Sequence, residues 1–506
     1  MNLYSLLAVT AERTPRAAAF VAAQATTSYD AARAAVERLA AQLAARGLGP
    51  GDRLAGLCAN TEAHYAAYFA AARLGAVFVP LNTRLAAAEQ AAVLQHAGAA
   101  MLVHDDAEPA FAARAAELRA AGGGSALRLA PLLDPAAPSV AAPPPPGDDP
   151  AAPAQLYYTS GTTGRPKGVV LTHGNVGAHA AQAARELGLT AADRWAHIAP
   201  MFHLADAWAT FAITAVGGAH AFLPRFAPAP ALDLLAELRI TITNLVPTML
   251  NLMVKEPGAG DRAFALRRML SGGAPIAPAV VRQILAAFRC EYVQTYGMTE
   301  TSPYLTLSLL DEAQRALPET ERMRLICRTG RPFGDVELKV TDDDGVPVAA
   351  DDRQVGEIRV RGATVTPGYW NDPEATAAAF DADGFLRTGD LATVDRHGFV
   401  DIVDRKKDVL KTGGETVYST EVENALYLHP AVLECAVFGV ADEVWGERVT
   451  AAVVLRPGVA ATGAELTEHC RAHIAGYKVP REVRFLDALP KTGSGKIQKR
   501  ALREGR

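Results

Sequence analysis

Helical and extended patterns alternate along this chain from Ser28 onward, and that alternation restricts the folds open to it more than any other feature. The stretch SYDAARAAVERLAAQLAARG at 28–47 predicts a helix with Ser28 or Asp30 near its N-cap and Gly47 at C′. The apolar runs DRLAGLCAN and AVFVPLN bracket a helical stretch from Glu62 to Leu74, and MLVHDD follows. Short strands separated by helices predict a largely parallel sheet. Pro131 to Pro153, with four consecutive prolines at 143–146, reads as a spacer, because it can neither continue a helix nor sit in a central strand. Alternation resumes from Gln155 to about Thr299. From Gly334 to Asp404 the turn signals DDDG, DADG and DRHG separate short runs that form a small β-rich subdomain. After Asp404 come a helix at EVENALYLH, strands at LECAVFGV and TAAVVLRPG, and a helix around Glu465 to Ala475. The expectation is an α/β protein. A large N-terminal domain over 1–403, built of α/β subdomains plus the small β-rich one, precedes a small C-terminal α/β domain over 404–506.

A chain of 506 residues exceeds the size at which one hydrophobic core stops growing, which agrees with more than one domain. Half the residues are hydrophobic and 21% are charged, a balance that opposes disorder as the main state. Fifty basic residues against 55 acidic ones give a net charge of −5, and without a long basic run nucleic acid is not an expected partner. The opening MNLYSLLAVTAERTP lacks the pattern of a secretory signal, and no window offers about 18 uninterrupted apolar residues, so integral membrane association is not expected and the cytoplasm is the expected compartment. Cys58, Cys290, Cys327, Cys435 and Cys470 are scattered without a C-x-x-C pair, which predicts buried thiols rather than a zinc site or disulfides.

The strand QLYYT runs into SGTTGRPKG at 160–168, and VVLT then leads to a helix with Thr172 as its N-cap. The loop has the parts of a phosphate cradle. Gly161 and Gly164 let the backbone turn and approach an anion, Ser160, Thr162 and Thr163 bring hydroxyls, Lys167 brings charge, and Pro166 stiffens the turn. It is not a Walker A loop, because two residues separate Gly164 from Lys167 and a glycine follows the lysine. Taken alone, the segment is equally an ordinary Gly/Ser/Thr turn.

Its wider context, YTSGTTGRPKG, resembles the signature of the adenylate-forming superfamily, and of its acyl-CoA synthetase (AMP-dependent synthetase and ligase) family in particular. Other motifs of that family follow in order: PMFH at 200–203, SGGAPI at 271–276, QTYGMTE at 294–300, RTGD at 387–390, DRKKD at 404–408 and PKTGSGK at 490–496. The resemblance spans essentially the whole chain. It implies an enzyme that uses ATP and Mg²⁺ to join a carboxylic acid to AMP, releasing pyrophosphate, and then passes the acyl group to coenzyme A. Lys496 is the implied adenylation lysine. Glu300 is the implied metal ligand, with Thr159 beside it, since Mg²⁺ takes one or two carboxylates together with phosphate and water. Thr299 would contact the α-phosphate, Asp390 would accept from the ribose hydroxyls, and Arg405 would approach the sugar or phosphate. Gly273, Ala274 and Pro275 would let adenine lie against backbone with Tyr296 stacked on its other face. Gln294, Gly297 and Lys411 complete the nucleotide set. Lys407 in DRKKD is the implied hinge of a mobile C-terminal domain, and Gly414 would line the pantetheine path. Thr416 and the Tyr418–Ser419 pair depart from the residues frequent in relatives.

His203 stands where amino-acid-activating relatives carry an aspartate, so an acid without an ammonium group is expected: a medium- or long-chain fatty acid, or an aryl acid. The implied acyl pocket is lined by Ala205, Trp208, Ala209, Met298 and Pro303, with small Ala205 leaving depth. Asp206 is read two ways: pointing inward it would favour a polar substituent, and pointing outward it carries no meaning. Each singled-out charge is, without its motif, an ordinary surface residue. Two further readings remain open: an acyl-AMP ligase that loads a carrier protein, and a non-catalytic nucleotide-binding relative. A homodimer is also left open.

Overall fold

Ser28 ends the strand Ala25–Ser28 and caps the helix Tyr29–Ala44, its hydroxyl accepting from the Ala31 N–H that the helix start would otherwise leave unpaired. Helix Glu62–Leu74 opens on Thr61 and closes on Gly75 at φ +68°. All residues from His64 to Leu74 are buried, which is why the sequence there is apolar or aromatic on every side rather than striped. Tyr65 packs on Phe20 and Tyr68 on Phe78, with ring centroids 4.9 and 4.5 Å apart, so this helix serves two sheets at once.

The computed structural model describes residues 2–122, 125–137, 140–160, 166–274, 276, 278–491 and 497–504. It divides into two units, Met1–Leu338 with Val360–Leu386 and Lys339–Arg359 with Arg387–Arg506. The first unit holds two sheets. One has six strands in the order Ser125–Arg128, Met101–His104, Arg53–Leu57, Val77–Pro80, Pro153–Ser160 and Pro166–Thr172. Its neighbours run parallel except the last pair, an antiparallel hairpin. The other has nine strands, with a parallel centre formed by Ala219–Phe222, Arg194–His197, Ile242–Asn244, Arg268–Gly272 and Glu291–Gly297. Antiparallel strands close both edges. In sheets of this kind ligands collect beyond the carboxyl ends of the strands, and His203, Gly273 and Met298 all lie just past such ends.

The expected β-rich subdomain is a four-stranded sheet of Glu337–Thr341, Gly356–Arg361, Leu386–Val394 and Val400–Arg405, grouped mostly with the second unit. That unit also contains helices Ser419–Tyr427 and Gly463–Arg471 and a five-stranded sheet built on the long hairpin Val432–Asp442 and Gly446–Leu455.

Two expectations need correcting. Pro131 lies inside a short helix, Leu129–Leu133, rather than in a structureless spacer. It sits in the first turn, where a missing N–H costs nothing. Cys290 and Cys327 are only partly covered, whereas Cys58, Cys435 and Cys470 are buried; all five are free thiols. Among the described residues no helix is long and apolar enough to cross a membrane.

Candidate active site

Strand Pro153–Ser160 and strand Pro166–Thr172 flank the glycine-rich loop, and their register sets Thr159 opposite Lys167. Thr172 and Asn175 form a capping box at the start of helix His173–Glu186, fixing the far end of the hairpin. Gly161, Thr162, Thr163 and Gly164 fall outside the described residues, as do Pro275, Lys496 and the side chain of Ser160.

The segment TVTPGYW at 364–370 gives this hairpin its setting, and sequence reasoning missed it. Trp370 N–H donates to Gly168 O (2.7 Å) and Val170 N–H to Gly368 O (3.1 Å), so the segment runs alongside the hairpin's second strand. Thr366 N–H donates to Glu300 O (2.8 Å), and Ser302 Oγ donates to Thr364 O (2.7 Å). Tyr369 is the consequence: its hydroxyl donates to Glu300 Oε1 at 3.0 Å, and the Lys167 ammonium lies over its ring, 4.9 Å from the centroid. One tyrosine therefore links the loop lysine to the expected metal-binding carboxylate. Burial and the adjacent Glu300 carboxylate push the Tyr369 phenol up, so it remains a donor.

Glu300 is buried in a single 3₁₀ turn, Thr299–Thr301, just after strand Glu291–Gly297. Gly297 has to be glycine, since a Cβ there would lie 1.8 Å from Pro303 O. That carbonyl accepts from Met298 N–H (3.0 Å) and Thr301 Oγ (2.6 Å), which closes the turn and directs Glu300. Gly272 pairs in register with Thr295, so Gly273 and Ala274 emerge beside Tyr296 and Gly297. Gly273 (φ +86°) and Ala274 are exposed, Tyr296 is half-buried, and Gln294 Nε2 donates to Ala274 O at 3.2 Å. The expected adenine site would need an exposed backbone edge beside an aromatic ring, and Gly273 and Ala274 beside Tyr296 offer one.

His203 occupies the N-cap position of the helix Leu204–Val216, without a side-chain capping bond, and is half-buried against Phe202. Asn60 pins the approach to it: Nδ2 donates to His197 O and Ala199 O (3.0 and 2.9 Å), and Oδ1 accepts from Met201 N–H (2.8 Å). Ala205 is exposed and Met298 half-buried, whereas Trp208, Ala209 and Pro303 are buried. Trp208 packs among His179, Trp195 and Tyr304, with centroids 5.5, 5.0 and 5.1 Å away. Asp206 takes neither of its two expected orientations. It is fully buried, with Oδ1 accepting from Trp195 Nε1 (3.3 Å) and Oδ2 2.5 Å from His197 Nδ1.

In the second unit, Asp390 and Arg405 face one another across antiparallel strands, with Arg405 Nε 3.1 Å from Asp390 Oδ1. Asp390 is buried and Arg405 exposed, so the pair presents an oriented carboxylate. Lys407 is exposed in the turn between Val400–Arg405 and Leu410–Thr412, where Asp408 N–H donates to Arg405 O (2.8 Å). Lys411 Nζ donates to Thr416 Oγ (2.6 Å) across a hairpin whose two turn residues, Gly413 and Gly414, have φ of +58° and +85°. Two successive positive φ values are why a glycine pair stands there. Gly413 also packs under Trp445, with Arg481 stacked on that indole 3.7 Å from the ring centroid.

Comparison with known proteins fits this geometry. Residues 7–370 match the AMP-binding enzyme family, and residues 421–496 match the AMP-binding enzyme C-terminal domain. A feruloyl-CoA synthase of Amycolatopsis sp. is 39% identical over 473 residues, 92% of this chain and 91% of its own length. A long-chain-fatty-acid–CoA ligase of Thermus thermophilus is 37% identical over 497 residues, 94% of this chain and 90% of its own. The solved o-succinylbenzoate coenzyme A synthetase of Bacillus subtilis, in complex with its acyl-adenylate intermediate, superposes with a TM-score of 0.88 at 31% identity, covering 99% of this chain and 98% of that one. Its complex with ATP and magnesium ion gives 0.85 at 32% identity, covering 99% and 98%. With matches of this extent along both units, the chain belongs to the AMP-binding enzyme family.

Proposed function

We propose that this enzyme converts a medium- or long-chain fatty acid or an aryl acid, with ATP, to its acyl-adenylate and then to the coenzyme A thioester. It is an acid–thiol ligase of the AMP-forming kind. The observation that carries the reading is the Lys167–Tyr369–Glu300 array beside Thr159. A carboxylate is repelled by a triphosphate, so joining the two needs cations and fixed donors aimed at the phosphates. Among the described residues no three His, Cys, Asp or Glu side chains gather in a metal-binding group. That fits Mg²⁺, which is held by one or two carboxylates and otherwise by phosphates and water. When bound, Mg²⁺ supplies charge neutralisation at the phosphates, and Glu300 with Thr159 would hold it.

In this reading Ser160, Gly161, Thr162, Thr163, Gly164 and Lys167 receive the phosphates, and Thr299 meets the α-phosphate. Gly273, Ala274, Pro275, Gln294, Tyr296 and Gly297 receive the adenine, and Asp390 and Arg405 the ribose. Lys496 offsets charge during adenylation, and the domain from 404 onward turns about Lys407 to admit the thiol along Gly414. Two of the relatives are named for feruloyl-CoA and for long-chain fatty acids, which supports an acid without an ammonium group. Exposed Ala205 and half-buried His203 and Met298 are the residues best placed to meet it.

The test separates the half-reactions. Lys496→Ala should lose acyl-adenylate formation from acid and ATP by about a thousandfold, on the scale of removing a group that stabilises transition-state charge. It should still convert supplied acyl-adenylate and coenzyme A to thioester. Equal loss of both half-reactions would contradict the role given to Lys496.

A further inference from the structure

Five buried side chains form one hydrogen-bonded line from the first turn of helix Leu204–Val216 into the nine-stranded sheet. Asp206 Oδ2 lies 2.5 Å from His197 Nδ1, His197 Nε2 lies 3.0 Å from His220 Nδ1, and His220 Nε2 lies 3.1 Å from Thr214 Oγ. Thr214 Oγ also meets Thr210 O at 2.6 Å and Tyr65 Oη at 2.8 Å. Every one of these five side chains is fully buried.

The proton positions follow from the far end. Thr210 O can only accept, so the single Thr214 hydroxyl hydrogen is spent on it, and Thr214 accepts from Tyr65 and from His220 Nε2–H. Burial keeps His220 neutral, so its Nδ1 has a lone pair and accepts from His197 Nε2–H. His197 Nδ1 then faces Asp206 Oδ2 at a distance two lone pairs cannot share without a proton between them. One proton therefore belongs to the pair, on either atom, and the pair is neutral overall. That is the state in which a carboxylate and an imidazole are least costly to bury.

We propose that Asp206 is a positioning residue for the acid site: with His197 it forms a neutral pair sharing one proton, which braces the helix turn carrying Ala205 and the indole of Trp195. This rests on the acyl-CoA synthetase reading. The brace reaches the acid site by two routes. Ala205, exposed next to His203, has its carbonyl fixed by Asn244 Nδ2 (2.7 Å) and Trp208 Nε1 (3.1 Å). Trp195, held by Asp206 Oδ1, packs edge-on against that same Trp208. The carboxylate is thereby withdrawn from the substrate, so the turn beside His203 offers no counter-charge to an ammonium group.

Asp206→Asn can keep every link, its amide N–H donating to His197 Nδ1 and its oxygen accepting from Trp195, while removing the shared proton. Asp206→Ala breaks both links. Steady-state kinetics with acid, ATP and coenzyme A varied in turn should show Asp206→Asn near wild type. Asp206→Ala should raise KM for the acid about tenfold, as expected for unpaired buried groups, with KM for ATP unchanged. Proton NMR of the wild type should show a far-downfield exchangeable resonance that Asp206→Asn lacks. Absence of that resonance in the wild type, or an acid KM raised as much by asparagine as by alanine, would overturn the proposal. So would alanine raising KM for ATP and acid alike. If Asp206→Ala does not fold, the asparagine variant and the wild-type resonance still decide. If no acid supports pyrophosphate release by the wild type, the synthetase reading fails, and the resonance alone tests the shared proton.

Discussion

Tyr369 is the residue whose removal should say most about the proposed phosphate end of the site. Its hydroxyl is a donor to Glu300 Oε1, and its ring carries the Lys167 ammonium. Tyr369→Phe keeps the ring and loses the donor. We expect pyrophosphate release to fall about tenfold, the scale of one hydrogen bond to a charged group, with a higher Mg²⁺ concentration needed for half-maximal rate. An unchanged Mg²⁺ dependence would contradict the link. Glu300 stood out in the sequence because TYGMTE is a family motif, and Asp390 and Arg405 because RTGD and DRKKD are. Tyr369 was not: it stands 69 residues from its partner in a segment with no titratable cluster to advertise it. Asn60 was hidden for the same reason, since it positions the 197–201 backbone from far away in sequence. Asp206 was visible as a charge, but its direction depended on His197, a residue nothing in the local pattern marked.

Among the elements, the hairpin at Leu410–Thr412 and Glu415–Val417 depends on two successive positive-φ glycines. Gly414 has φ +85° and open space around its Cβ direction, so Gly414→Ala meets only conformational strain, about 1 to 2 kcal/mol. The variant should form acyl-adenylate at the wild-type rate and make thioester more slowly, as half-reaction assays would read; slowed adenylation with normal thioester formation would reverse the assignment of this turn. Gly297→Ala is a different case, because its Cβ would overlap Pro303 O, so the turn holding Glu300 must shift. Its denaturant midpoint should fall and its adenylation rate should collapse together. Elements were read well where a helix-forming run stood unbroken between turn or cap residues, as in the helices Tyr29–Ala44 and Glu62–Leu74. They were read poorly where proline dominated, since Pro131 is compatible with a first helical turn as well as with a spacer.

Across the whole molecule, buried histidines tie stability to pH. Burial lowers His64 and His173 to about 4 and His179 to about 3. In the unfolded chain these groups titrate near 6.5. Between that value and the folded ones the unfolded state binds more protons at these positions, so the stability these three rings contribute is complete above about pH 6.5 and declines as pH falls toward 4. Urea midpoints should fall from pH 6.5 to pH 5, an interval in which the His197–Asp206 pair holds close to one proton in the folded and the unfolded chain alike, and a midpoint rising over that interval would contradict the burial of these rings. The α/β class and the sequence of elements were readable from the alternating pattern. The spatial order of the nine-stranded sheet was not, because Ala18–Ala22 joins it beside Ala219–Phe222 through pairing that no local pattern encodes. In the proposed reaction acid, ATP and coenzyme A meet in two successive steps. Pyrophosphate release measured over a panel of fatty and aryl acids, each with and without coenzyme A, reads both steps. Release should depend on one acid class and turn over continuously only when coenzyme A is present. Sustained release indifferent to coenzyme A, or none with any acid, would contradict it.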